Sequence, residues 1–449
     1  MIFAERSAGA LEETRMAITI ALLLIIATLL LGLPVPFCFM LSTTFMVVTH
    51  AYDPSFLLPY AFSQMSSIVL LAIPLFIMVG GMMDRGGIGT SLVNFVDVLV
   101  GRVKGGLGVV AVVSCAVFGS ISGSCAATLS CIGSIMFPRL RENGYPMGHS
   151  AALVSCAAPL GLLIPPSSQM ILFAWVGQQS VLACFLATVG PGIVLMILLS
   201  ILNIIMLRND PNVKVAPRIP FPETMQLLGN RGRKALPALF MPFIVLGGIY
   251  GGIMTPTEAA AVAVLYSVPV GFWIYKGLNR SNFLEVIIET ATTTGVVMLM
   301  MYCIMMLSRI YVQERLPAMI ISSLTALSSN KYVLMLMINL FMIIIGMIMD
   351  DVSAMLLCTP ILLPVVVSLG IHPIHFAAII GTNLGLGNVT PPTAPTLYFG
   401  GRMAKTPVSQ MMKPAMIFIL FAWLPTLLAV TFLPELALWL PRLVLGGRL

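Results

Sequence analysis

A repeat constrains this chain more than any other feature. Residues 119–173 can be laid on residues 346–399: Gly119 meets Gly346, Cys131 meets Cys358, Pro146 meets Pro373, Pro165-Pro166 meets Pro391-Pro392, and Phe173 meets Phe399. The separation is about half the chain, which predicts two related halves. Each copy has a small-residue or acidic break between two apolar stretches, then an apolar helix interrupted by Gly and a Pro-Pro pair. Inside hydrocarbon, non-helical backbone leaves amides and carbonyls without partners, so it survives only where it lines a cavity or binds something. Paired interruptions in corresponding places of two halves point to a transport site near the membrane midplane.

The membrane reading rests on composition. Hydrophobic residues make up 59% of the 449 positions and charged residues 9%, whereas a soluble domain carries about 25% charged residues. The 8 cysteines include no Cys-x-x-Cys pair; they read as small buried residues, not as a disulfide framework or zinc site. The formal charge of +7 reads as basic cytoplasmic loops, with no nucleic-acid partner implied.

In order, residues 1–16 form a short polar lead with Glu5, Arg6, Glu12, Glu13 and Arg15, and 16–33 read as an uncleaved first span. Further apolar stretches run to about His50 and over 65–83, and Arg102 with Lys104 flanks the entry to the first copy. There, 107–118 and 129–137 are apolar arms too short to span alone, so a re-entrant hairpin with its tip at Ser122-Gly123-Ser124 is expected. A half helix over 150–163, a break at Ile164-Pro165-Pro166 and a resumption near Gln169 follow. After a span over 181–207, the segment 208–234 carries Arg208, Lys214, Arg218, Arg231, Arg233 and Lys234, which predicts a cytoplasmic linker. Spans over 236–253, 259–275 and 290–307 lead to the second copy, with arm 332–349, tip 350–353 and broken helix 376–399; apolar stretches 415–433 and 436–445 end the chain. Thr255-Pro256-Thr257-Glu258 has the form of a capped helix start. An odd number of crossings between the copies, counted as about five, would make them inverted repeats.

The chemistry available at the breaks is oxygen chemistry. Ser122 and Ser124 offer hydroxyls and unwound backbone offers carbonyls, and such oxygens can replace the hydration shell of Na⁺; the same applies at Asp350, Asp351, Gly387, Asn388 and Thr390. Close helix packing is the alternative reading of the serines and glycines, and a wet helix end is the alternative for the adjacent acids. His372-Pro-Ile-His375 has a possible metal spacing, but a loop beside proline accounts for it. No phosphate-binding Gly-x-x-x-x-Gly-Lys-Ser/Thr loop occurs. Nor is there a nucleophile–base constellation, which argues against an enzyme.

The motifs FGSISGSCAATLSCIG, PLGLLIPPSS, GGIYGGIMTPTEAAAVAVLY, MDDVSAMLLCTPILLPVV and NLGLGNVTPPTAPTLYFGG together resemble the large membrane subunit of tripartite ATP-independent periplasmic (TRAP) transporters. The resemblance runs from about Pro74 to the C-terminus. It implies an all-α polytopic inverted-repeat protein of the bacterial inner membrane, with two re-entrant helical hairpins and two broken helices moving as an elevator against a scaffold. By that analogy 1–104 are N-terminal scaffold helices, 105–207 the first transport repeat, 208–331 linker and scaffold helices, 332–413 the second repeat and 414–449 C-terminal helices. It implies Na⁺-driven uptake of a carboxylate, with no cofactor. The implied partners are a periplasmic solute-binding protein and a separate small four-helix membrane subunit, which the short lead is too brief to include. The family's ion-binding positions carry over onto Gly119, Ser122, Gly161, Ile164 and Pro165 for one Na⁺, and onto Gly346, Gly387 and Thr390 for a second. Ser124, Asp350, Asp351 and Asn388 form the expected substrate region. Cys125, Asn388 and Thr393-Ala394 depart from the residues usual in the family. A stand-alone ion-coupled anion transporter and an ion channel are the competing classes; uptake against a gradient separates the latter.

Overall fold

The computed structural model describes residues 2–101, 103–214 and 221–446; Arg102 and Arg218 lie outside the described residues. Among these, nine helices are long and apolar enough to cross a bilayer, and one further pair, bent by 45°, forms a broken span. The first helix, α1 (Ile2–Leu30), already includes the expected polar lead, because nothing in residues 2–16 breaks a helix. It packs on α2 (Val35–Thr49). Then come α3 (Leu57–Met65), α4 (Ala72–Arg85) and α5 (Ile88–Val100).

The first copy begins with α6 (Gly106–Ser122) and α7 (Cys125–Glu142), which pack together around a two-residue turn at Gly123-Ser124. Both arms are longer than the apolar stretches alone predicted, since the small polar residues Gly119–Ser122 and Thr128 continue the helices instead of ending them. The broken helix is α8 (Met147–Ala157), α9 (Leu160–Leu163) and α10 (Ser168–Val176), and α11 (Val181–Leu207) completes the unit.

The basic segment is only partly a linker. Helix α12 (Phe221–Tyr250) takes in Arg231, Arg233 and Lys234, and Arg231 pairs with Asp97 of α5 at 3.0 Å. Helix α13 (Pro256–Pro269) starts with the anticipated capping box: Glu258 accepts from the Thr255 amide at 2.7 Å and Thr255 Oγ1 from the Glu258 amide at 3.3 Å. Helix α14 (Arg280–Gln313) exceeds the expected span by three turns at its start and packs on α2, α3 and α4. There Arg85 of α4 bridges Glu285 at 3.0 Å and Glu289 at 2.7 Å.

After α15 (Leu316–Leu327), the second copy repeats the first. The hairpin is α16 (Lys331–Ile348) with α17 (Asp351–Ser368), and the broken helix is α18 (Pro373–Val389) with α19 (Pro395–Ala404). The chain ends with α20 (Val408–Phe418), α21 (Leu424–Phe432) and α22 (Pro434–Leu445).

The two copies interlock. Helix α10 of the first packs on α17 of the second, and α19 of the second packs on α7 of the first, so each hairpin is closed by the other half's broken helix. All eight cysteines are buried, as their small apolar character predicts. His372 caps α18 by accepting from the Ile374 amide at 3.2 Å, and His375 Nε2 lies 2.6 Å from the Val430 carbonyl oxygen. The spacing of this pair serves helix ends.

Candidate functional site

Proline chemistry opens the backbone at both breaks. A helix carbonyl accepts from the amide four residues on, and proline has no N–H. Pro165 and Pro166 therefore deny helical partners to the carbonyls of Gly161 and Leu162, and Pro391 and Pro392 do the same to Gly387 and Asn388. The next turn cannot form, and Ile164 and Thr390 take the same extended backbone, with φ −91°, ψ 114° and φ −89°, ψ 121°. Both Pro-Pro peptide bonds are cis.

Glycine then lets each hairpin approach its own broken helix with backbone against backbone. A Cβ on Gly119 would lie 2.5 Å from the Cα of Gly161, and one on Gly387 would lie 2.6 Å from the Cα of Gly346. Of the predicted ion-site residues, Gly119 and Gly161 in the first copy and Gly346 and Gly387 in the second are thus brought together across the hairpin–break contact.

In the first copy the oxygens converge further. A Cβ on Gly161 would meet Thr128 Oγ1 at 2.8 Å and the Ser124 carbonyl at 3.1 Å. Thr128 donates to that carbonyl at 2.8 Å, and Ser122 Oγ lies 3.1 Å from Thr128 Oγ1. Thr128 has one proton and spends it on Ser124, so Ser122 is the donor in the second bond and keeps its lone pairs. The turn depends on Gly123, whose φ of +60° and close approach to the Pro166 carbonyl oxygen exclude a side chain. In the second copy Thr390 Oγ1 donates to the Leu386 carbonyl at 2.6 Å, again leaving the oxygen's lone pairs, and its amide takes the Gly387 carbonyl at 3.1 Å. Neutral carbonyls and hydroxyls of this kind suit a hard monovalent cation.

A cavity of about 430 Å³ lies beside the tips, between the two hairpins, α10, α4 and α14. Of the expected substrate region, Ser124 and Asp351 line it. Asp350 does not: it is exposed and caps α17, accepting from the Val352 amide at 3.2 Å and the Ser353 amide at 3.4 Å. Asn388 also lies outside the lining and is 3% exposed. Asp351 is held across the halves by Gln169, which donates to it at 2.7 Å. The reciprocal crossing joins Cys125 Sγ to Thr396 Oγ1 at 3.6 Å. The lining also includes Asp84, Glu289, Thr290 and Thr293, which the sequence reading left outside the site; among the described lining residues there is no Lys, Arg or His.

Two interlocked helix–break–helix units around a cavity whose largely apolar wall carries carboxylate, hydroxyl and amide groups, inside a helical multi-span bundle, define a membrane permease. The family model for the tripartite ATP-independent periplasmic transporter, DctM component, matches residues 22–436, and the chain belongs to that family. It is a multi-pass protein of the bacterial inner membrane. The C4-dicarboxylate TRAP transporter large permease protein DctM of Pseudomonas aeruginosa is 35% identical over 373 residues, covering 83% of this chain and 86% of that one. The sialic acid TRAP transporter large permease protein SiaM of Vibrio cholerae is 30% identical, covering 92% and 96%. Among solved structures, the YdaH transporter of Alcanivorax borkumensis aligns with a TM-score of 0.60 at 15% identity, covering 82% of this chain and 84% of that one. MtrF of Neisseria gonorrhoeae aligns at 0.58 and 12% identity, covering 84% of each. These two likenesses concern the fold.

Proposed function

We propose that this permease couples the entry of Na⁺ to the uptake of an organic carboxylate. One observation carries the reading: in both halves, a Pro-Pro pair withholds the helical donor from the carbonyl of the very glycine at which the broken helix meets its own hairpin, glycine against glycine. Gly119, Ser122, Gly161, Ile164 and Pro165 would hold one ion, joined by Thr128, and Gly346, Gly387 and Thr390 a second. The cavity supports coupling. Glu289 is already bridged by Arg85, so a carboxylate entering the cavity meets the negative charge of Asp84 and Asp351, which bound cations would offset. Ion and anion would then favour one another's binding.

Relatives named for C4-dicarboxylate, sialic acid and isethionate support an acidic substrate. The interlocked copies would form the moving unit and the remaining helices the scaffold, as an elevator requires, with α4 and α14 as the facing surface in the bilayer. The tip of the first hairpin already rests on α4, where a Cβ on Gly80 would lie 3.2 Å from the Ser122 carbonyl oxygen. The partners are a small four-helix membrane subunit and a periplasmic solute-binding protein that delivers the substrate.

Proteoliposomes containing this chain alone are expected to accumulate none of labelled succinate, sialic acid or isethionate, and adding both partners is expected to give uptake of the binding protein's ligand. Equal uptake by the chain alone would contradict the tripartite reading.

A further inference from the structure

Among the buried positions at which the second break differs from the first, one puts a polar side chain in place of an apolar one. Asn388 stands where the first copy has Leu162, one residue after the glycine that meets the hairpin in each case. Leu162 is 2% exposed and fills its place with an apolar side chain. Asn388 is 3% exposed, yet its Oδ1 is buried without a hydrogen-bond partner. A buried amide oxygen left unpaired is unfavourable, and native proteins keep few such atoms without a ligand, ion or water to meet them.

The position of Asn388 says what could meet it. Gly346 lies over α18 at Leu384 and Gly387: a Cβ on Gly346 would be 3.4 Å from the Leu384 Cα and 3.2 Å from the Gly387 Cα. In a helix, residues three and four apart share a face, so Leu384 and Gly387 form the edge of α18 turned toward α16, and Asn388 flanks that edge on the side of Gly385, whose would-be Cβ meets Trp423 and Pro159. The carbonyl oxygen of Gly346 points to that edge, 3.1 Å from where a Gly387 Cβ would be. The backbone carbonyl of Asn388 is itself one of those that Pro392 leaves without a helical donor.

Resting on the Na⁺ reading above, we infer that Asn388 supplies a direct side-chain ligand to the ion at the second break, through Oδ1. The amide oxygen is neutral and hard, of the kind Na⁺ accepts in place of water. The first break has no counterpart at this position, so the two copies hold their ions with different ligand sets.

The test uses the purified full-length permease and Na⁺ alone, so it needs neither substrate nor partner. A ligand that binds the folded state raises the melting temperature as its concentration rises. NaCl is titrated against KCl at constant ionic strength, and the Na⁺ concentration giving half the thermal shift is read. Asn388→Leu, which restores the chemistry of the first copy, is expected to raise the half-point of one of the two phases roughly tenfold, the scale of one good polar contact, and leave the other in place. Asn388→Asp keeps an oxygen in place and is expected to hold the half-point at or below that of the native chain. It also serves as the decisive variant if the leucine does not fold. Half-points unchanged in Asn388→Leu, or raised alike in both variants, would overturn the assignment while leaving Na⁺ binding intact. A native protein that shows no Na⁺-specific shift would overturn the coupling reading and this inference with it.

Discussion

Gly119→Ala and Gly387→Ala are each expected to reduce uptake by the assembled transporter more than tenfold. Each places a methyl group against backbone: 2.5 Å from the Gly161 Cα in one case, 2.6 Å from the Gly346 Cα in the other. Backbone cannot turn aside as a long side chain can, so the hairpin and the broken helix must separate. Forcing extra volume into a packed contact costs roughly 1–3 kcal/mol, which a large helical bundle can absorb. The oxygens that meet across the contact would nonetheless be drawn apart. Gly295→Ala is the control, since nothing lies within 4 Å of its would-be Cβ, and there alanine is expected to be neutral or slightly stabilising. Uptake per inserted molecule, measured with both partners present, separates loss of the site from loss of protein. Wild-type uptake in both site variants would mean that these glycines serve packing alone.

Ser122→Ala and Thr390→Ala should act on the ion with little effect on the fold. Both hydroxyls donate inward, Ser122 to Thr128 and Thr390 to the Leu386 carbonyl, so each keeps lone pairs for a cation. Removing one good polar contact is worth roughly 1–3 kcal/mol, or about tenfold to a hundredfold in affinity. Each variant is expected to insert normally but to need that much more Na⁺ for half-maximal uptake, and by linkage to bind substrate more weakly at fixed Na⁺. Unaltered Na⁺ dependence in both would remove these oxygens from the ion sites.

Much of this architecture was legible because glycine and proline have few uses inside a membrane. The repeat, both Pro-Pro breaks, the Gly123 turn and the Thr255 capping box could be read from residues whose backbone chemistry is local. The cavity was less legible because its walls come from distant segments. Hydropathy ends the span of α14 at Thr290, whereas the helix continues outward through Glu289 and Glu285, whose charges are met by Arg85 some 200 residues away in sequence. Gln169 seemed only the point where a helix resumes, yet it holds Asp351 of the other half. Thr128 carried a signal that went unused: it stands four residues after Ser124, within reach of its carbonyl along a helix. Asp350 and Asp351 looked equivalent as neighbours, and a one-residue step around the start of α17 separates a helix cap from a cavity carboxylate.

The central claim is that the two breaks are Na⁺ sites, and equilibrium binding of radioactive sodium to the purified permease tests it most directly. The account predicts saturable binding displaced by unlabelled Na⁺ but not by K⁺, with one site shifted to roughly tenfold or more higher Na⁺ by Ser122→Ala or Thr390→Ala alone and both sites shifted when the two are combined. Absence of saturable binding, or binding that survives the combined substitution unchanged, would contradict it.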